Sequence, residues 1–292
     1  LFRSGSRQRL ARLFGQYVPP ELVAEMGRQP DRHSMRSRSA ELTVLFADVS
    51  GFSAVAERLP PAELGAMMNL VFSHLTDVVR DHRGTLDKYI GDSVMAFWGA
   101  PLDDPDHARH AVDAAQAMLA RLPAIHAEMA AQGWPALQLN IGINTGTVVV
   151  GDMGSRHRRA YTVMGDPVNL AARLQAFCSR YGLGLVVGDA THNALLRGQP
   201  QQPCLPLGPL SLRGRDAGQP AWQPLAGADA AKADQLIPAW KDLRRLVRSG
   251  RPAQALEQID AMALAHPGLA PLFRWQRLLL QNDLDTGSAN TP

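Results

Sequence analysis

The chain has 292 residues, 46% of them hydrophobic and 20% charged, an ordinary globular composition with room for one large domain or one domain plus an appendage. Its net charge of +3 does not signal nucleic-acid binding: residues 1–40 hold eight Arg against Glu21, Glu25 and Asp31, and the remainder is near −2. Two cysteines, Cys178 and Cys204, exclude a disulfide framework and suit a reducing compartment.

The basic start reads as a connector on the cytoplasmic side of a membrane or between domains. Phe14 and Tyr17 are too few aromatics for a nucleic-acid face. Within it, residues 10–27 suggest a short helix, a Pro-Pro break and a second helix from Glu21, followed by a polar, mobile stretch over 28–40. No apolar run approaches the roughly 18 residues that span a bilayer. The chain starts on Leu1 without a signal-peptide pattern, so it is expected to be a soluble piece of a longer protein.

From Glu41 the pattern becomes regular. "ELTVLFA" has the β-branched and aromatic content of a strand, and "VLFADVSGF" breaks from apolar residues at Asp48 into a Gly-containing turn. Residues 60–82 predict a helix, with Leu64, Met68, Val71, Leu75 and Val78 at three- and four-residue steps. "GTLDKY" and "SVMAFW" predict two strands joined by the tight "IGD", which carries Asp92. Residues 104–133 predict a long Ala-rich helix with Asp at its start and Gly after it. "LQLNIGINTG" and "TVVVGDMG" predict two further strands forming a hairpin.

Strand, helix, strand, strand, helix, strand is the split βαβ order of an α+β, ferredoxin-like βαββαβ core. Residues 137–225 extend it with that hairpin, a helix at about 166–181, a strand at "GLVV", a short helix and a terminal strand pair. The expected organisation is a basic linker over 1–40, a domain over 41–226, a separate tetratricopeptide-like helical hairpin over 234–281 and a disordered tail over 282–292. One repeat cannot bury its own face, so the hairpin is expected to dock on the domain or on a partner.

In a split βαβ sheet the first and third strands are antiparallel neighbours. The end of the first strand then lies beside the turn between strands two and three, which sets Asp48 next to Asp92. Two carboxylates this close repel unless a cation lies between them, and hard divalent cations prefer oxygen ligands. A plainer alternative has Asp48 capping the next helix and Asp92 filling a turn. Amides of the Val49–Ser53 turn, including those of Gly51 and Phe52, point to a polyphosphate as the accompanying anion. Asn169 and Arg173, four apart in "DPVNLAARL", share one helix face.

"FADVSGF", "DKYIGDSVMAFWG", "NIGINTGTVVVGDMG" and "YTVMGDPVNLAARL" together resemble the successive signature blocks of the class III adenylyl/guanylyl cyclases, over about residues 41–225. "FGQYVPPELV" resembles the segment that joins bacterial cyclases to membrane sensor domains, so the resemblance implies a full-length protein anchored in the inner membrane. It further implies a head-to-tail homodimer with two shared active sites acting on ATP. Asp48 and Asp92, with the Val49 carbonyl, would hold two Mg2+ or Mn2+ ions. Gly51, Phe52 and Ser53 would face the phosphates. The partner chain would supply Lys88 and Thr162 to the purine, and Asn169 and Arg173 to the ribose and the developing charge.

Lys/Thr in place of the commoner Lys/Asp pair resembles the IIIb subgroup, read as ATP-using and often bicarbonate-responsive. An ammonium donates only, so Lys88 suits adenine N1 and repels the N1–H of guanine, while Thr162 has an acceptor for the 6-amino group. "LRGR" resembles the segment that grips the triphosphate, with Arg213 in the matching position and Arg215 as the fallback. Arg158 or Arg159 would add charge nearby. His33, His74 and His157 have no partner at metal spacing and take no role.

Two different readings compete. A guanylyl cyclase differs only in the purine contacts, and a catalytically inactive dimerisation or nucleotide-sensing module would leave matched positions unfilled. A diguanylate cyclase lacks its Gly-Gly-Asp/Glu-Glu-Phe motif here, and an RNA-binding ferredoxin-like module lacks its aromatic sheet pattern.

Overall fold

The structure is a computed structural model that describes residues 36–157, 159–197, 201–215 and 217–288, with side chains of the last helix to Gln281. The helices expected within 10–27, His33 and Arg158 lie outside the described residues. No helix of the described residues is long and apolar enough to cross a membrane.

The elements run β1 (Arg38–Ser50), α1 (Phe52–Ala56), α2 (Pro61–Asp81), β2 (Thr85–Ile90), β3 (Ser93–Trp98), α3 (His107–Ala131), β4 (Gln138–Gly154), β5 (Arg159–Met164) and α4 (Asp166–Tyr181). They continue as β6 (Leu185–Gly188), α5 (Asp189–Arg197), β7 (Cys204–Leu210), β8 (Gln219–Pro224), α6 (Gly227–Ala231), α7 (Ala233–Arg248), α8 (Pro252–Ala265) and α9 (Ala270–Ser288). One sheet takes the order β2-β3-β1-β4-β6-β8-β7, with β5 on the free half of β4.

β1 is central, and its two faces divide by the period of two that a strand imposes. Leu45, Ala47 and Val49 enter a core with Met67, Val71, Leu75 and Val78 of α2 and Ala111, Ala115 and Met118 of α3. Leu42 and Val44 face the opposite way, into a cluster with Phe97, Val148, Tyr161 and Ala171 of α4. A strand covered on both faces reads as an almost unbroken apolar run, as this one does up to Asp48.

Four expectations need correction. β1 starts at Arg38, inside the stretch expected to be mobile, because it pairs with β4 from Arg38↔Val150 onward. The expected hairpin within 137–154 is instead one 17-residue strand, β4. "NTG" looks like a turn, yet β1 pairs straight through it. Its glycine serves close packing: a Cβ on Gly146 would stand 2.6 Å from Pro167, and one on Gly142 would stand 2.1 Å from the Gln175 backbone nitrogen. Both glycines let α4 lie directly on β4.

The C-terminal helices dock on the domain, one of the two outcomes expected. They are not a lone hairpin, however, and share the domain's core rather than forming a separate unit. α7, α8 and α9 form a three-helix layer whose Trp240, Leu243, Ile259 and Phe273 share a core with Phe177 and Cys178 of α4 and Leu205 and Leu207 of β7. Trp240 Nε1 donates to Pro206 O at 2.8 Å and Arg244 Nη1 to Leu207 O at 2.6 Å, which fixes the layer to the sheet edge. Finally, α9 runs on to Ser288 through the residues expected to be a disordered tail. Each added residue of a helix already nucleated and docked costs little, so polar composition there does not end it.

Candidate active site

Antiparallel pairing of β1 with β3 sets Asp48 opposite Ser93. Asp92 occupies the β2–β3 turn just before it, behind Gly91, whose φ of 62° suits glycine. The Ser93 hydroxyl donates to Asp48 Oδ1 and holds that carboxylate on the rim. Burial, and then the neighbouring Asp48 charge, raise the Asp92 pKa above its ordinary value. Val49 buries its side chain, so only its backbone is left to serve a ligand. Gly51, at φ 85°, swings the chain into α1, and Gly51 and Ser53 stay exposed while Phe52 packs against the core.

No group of three or more His, Cys, Asp or Glu forms a metal cage among the described residues. The donor chemistry still fits a hard divalent cation: two mutually repelling carboxylates on one open rim, with positions to spare for phosphate oxygens and water.

A second group forms around a residue that sequence reasoning passed over. The β2–β3 register shifts between Leu86 and Lys88, so Asp87 is the unpaired residue of a bulge, a device that re-aims side chains. Its buried carboxylate lies 3.2 Å from Lys88 Nζ through Oδ1, and Thr162 Oγ1 of β5 donates to Oδ2 at 2.5 Å. Lys88 and Thr162, 74 positions apart in number, are thereby tied to one anion. Burial pushes the Asp87 pKa up, against the opposing pull of Thr162 and Lys88. The signal available in sequence was an acid beside a lysine in an otherwise apolar strand.

A third group lies on α4. Asn169 is exposed, and Arg173 Nη1 donates to Gly214 O at 3.3 Å. Arg173 and Arg213, with Arg180, line a groove of about 140 Å3. Arg215 instead clamps Asp166 at the start of α4, with contacts of 2.6 and 2.5 Å. Arg159 pairs with Asp152 at 3.2 Å, and His74 pairs with Glu128 at 3.1 Å. A larger cavity of about 400 Å3 sits by the opposite end of β1, between Glu41, His107 and Arg197, and includes none of these residues.

The split βαβ sheet thus sets Asp48 of β1 and Asp92 of the β2–β3 turn at one rim and lays a polar, arginine-bearing helix across β4. The sequence model for the adenylate and guanylate cyclase catalytic domain matches residues 35–222, and the chain belongs to this family. It is 39% identical over 180 residues to adenylate cyclase 1 of Rhizobium meliloti (strain 1021), a match covering 61% of this chain and 27% of that protein. It is 35% identical over 213 residues to the uncharacterized protein Rv1320c of Mycobacterium tuberculosis (strain ATCC 25618 / H37Rv), covering 72% of this chain and 35% of that protein. The chain thus spans about a third or less of the length of these relatives. Among solved structures, the adenylyl cyclase CyaB from P. aeruginosa superposes with a TM-score of 0.60 at 28% identity, covering 66% of this chain and 97% of that one. The guanylyl cyclase Cya2 gives 0.57 at 29% identity, covering 65% and 94%.

Proposed function

We propose that this domain is an adenylyl cyclase that converts ATP to 3′,5′-cyclic AMP and pyrophosphate. The observation that carries the reading is the meeting of Asp48 and Asp92 at one rim, close enough for one charge to raise the pKa of the other. Divalent cations held there, Mg2+ or Mn2+, would lower the pKa of the ribose 3′-hydroxyl and neutralise charge on the α-phosphate and leaving group. The chain's own residues do the rest. Ser93 keeps Asp48 in place, and the Gly51–Ser53 backbone lies beside the carboxylates where phosphates would sit. Arg173 is permanently charged and suits a phosphorane's oxygens, Asn169 suits the ribose, and Arg213 suits the outer phosphates.

Lys88 with Thr162 favours adenine over guanine, since a donor-only ammonium meets the N1 acceptor. A guanylyl cyclase is the second reading, and the guanylyl cyclase Cya2 superposes almost as well as CyaB. Sites shared across a head-to-tail homodimer are supported by exposed apolar residues beside the purine pair. Tyr89 and Ile90 follow Lys88 on β2, and Val149 faces Met164 across β4 and β5, all at least 43% exposed. The arginine-rich start supports a place on the cytoplasmic face of a membrane, downstream of a sensor.

Cyclic AMP formation from ATP with Mn2+, measured against protein concentration, is expected to rise more steeply than linearly until dimers saturate. Asp48→Asn and Asp92→Asn are each expected to lower kcat by about 100-fold or more with the thermal melt retained. Near-parental turnover in either variant removes the metal assignment.

A further inference from the structure

The hydroxyl of Thr162 is both donor and acceptor, so by itself it does not distinguish a 6-amino group from a 6-oxo group. In this structure its hydrogen is already committed: Oγ1 donates to Asp87 Oδ2 at 2.5 Å, from a side chain buried beside a buried carboxylate. Lys88 holds the other carboxylate oxygen at 3.2 Å. An ionised carboxylate only accepts, so while Asp87 takes that hydrogen, Thr162 has only lone pairs to offer a third group.

We propose that Asp87 is the positioning residue that fixes the polarity of this site: it turns Thr162 into an acceptor beside the donor-only Lys88, and so selects a purine carrying a 6-amino group. The inference rests on the adenine reading above and adds the device that enforces it. Asp87 owes its place to the bulge between Leu86 and Lys88, which sets it facing Thr162 of β5 rather than in register with β3. A neutral threonine thereby performs the accepting role of a carboxylate without adding a second charge beside Lys88.

Asp87→Asn tests this at constant volume. The donor-only Lys88 requires the amide oxygen, which leaves the amide NH2 facing Thr162. Thr162 must then accept from the amide and turn its own hydrogen outward, towards the base. ATP is compared with purine riboside triphosphate, which has hydrogen in place of the 6-amino group and keeps N1. The wild type is expected to favour ATP by about tenfold in kcat/KM, and D87N to bring that ratio to about one or below. Thr162→Val is expected to give a ratio near one, and adding D87N to it is expected to change nothing further.

A merely structural Asp87 would lower both substrates alike and leave the ratio intact, which would overturn the inference. If D87N does not fold, Thr162→Ser decides: it keeps a hydroxyl on Asp87 and must retain the ratio, whereas loss of the ratio overturns the inference. A wild type that prefers GTP to ATP would remove the adenine reading and this inference with it, a failure visible before any variant is made.

Discussion

Arg213 and Arg215 are two residues apart and have different fates. Arg215 is spent on Asp166, whereas Arg213 lines the groove that Arg173 enters. Arg213→Ala is therefore expected to raise KM for ATP about tenfold with little change in melting temperature. Arg215→Ala is expected to cost under about 1 kcal/mol of stability, since exposed ion pairs contribute little, and to leave KM within about threefold. Steady-state kinetics and thermal melts on the two variants separate the roles. Sequence alone ranked these arginines by motif, and only the Asp166 contact shows why one is occupied. Asp48 and Asp92 were legible because topology alone brings a strand end to a hairpin turn. Asp87 was not, because its role depends on a bulge and on a hydrogen bond to a strand 75 positions away, neither of which leaves a periodic trace.

β4 shows the same contrast for a whole element. Its apolar alternation was visible, but glycines within it suggested a break. Glycine marks a turn in one context and a close approach in another, and only the helix above distinguishes them. Gly142→Ala is expected to destabilise the fold by about 3 kcal/mol or more, because the new Cβ meets helix backbone at 2.1 Å and neither element can yield. Differential scanning calorimetry checks it; an unchanged melt would show that α4 does not rest on β4 as described. β5 was missed for a related reason: its six residues were absorbed into a motif read for function.

The start of α3 carries a pH signature. His110 Nδ1 lies 2.7 Å from Asp104 Oδ2. That hydrogen bond outweighs burial and lifts His110 above 6.5. Burial works to raise Asp104, and His110, the Asp106 amide and Arg83 overcome it, leaving it below 3.8. The folded state thus holds the His110 proton more tightly than the unfolded chain, so this stabilisation is present below pH 6.5 and lost as pH rises through the raised value. The Asp104 share is present above 3.8 and lost only in strong acid. His110→Ala is expected to flatten the decline of melting temperature as pH rises above 6.5; an unchanged slope would remove the pair as its source.

For the whole molecule, composition and element order led to the α+β sheet but not to the extent of its core. The C-terminal helices read as an appendage because a linker-like Gly/Ala/Asp joint precedes them. The structure instead builds one apolar cluster from α4, β7, β8 and the three helices. Trp240→Ala is expected to cost about 3–5 kcal/mol. Ending the chain at Leu225 is expected to yield a sheet that aggregates, which light scattering of the truncated protein would detect. A truncated form that stays monodisperse and melts as the full chain does would show the layer to be dispensable.

Shared packing also has a mechanical reading. Phe177 and Cys178 on α4 share a cluster with Trp240, Trp275 and leucines of the C-terminal layer, while Asn169 and Arg173 stand about two turns and one turn earlier on the same helix. A shift in that packing would carry this face of α4 with it, so whatever binds there would register a change made in the distant layer.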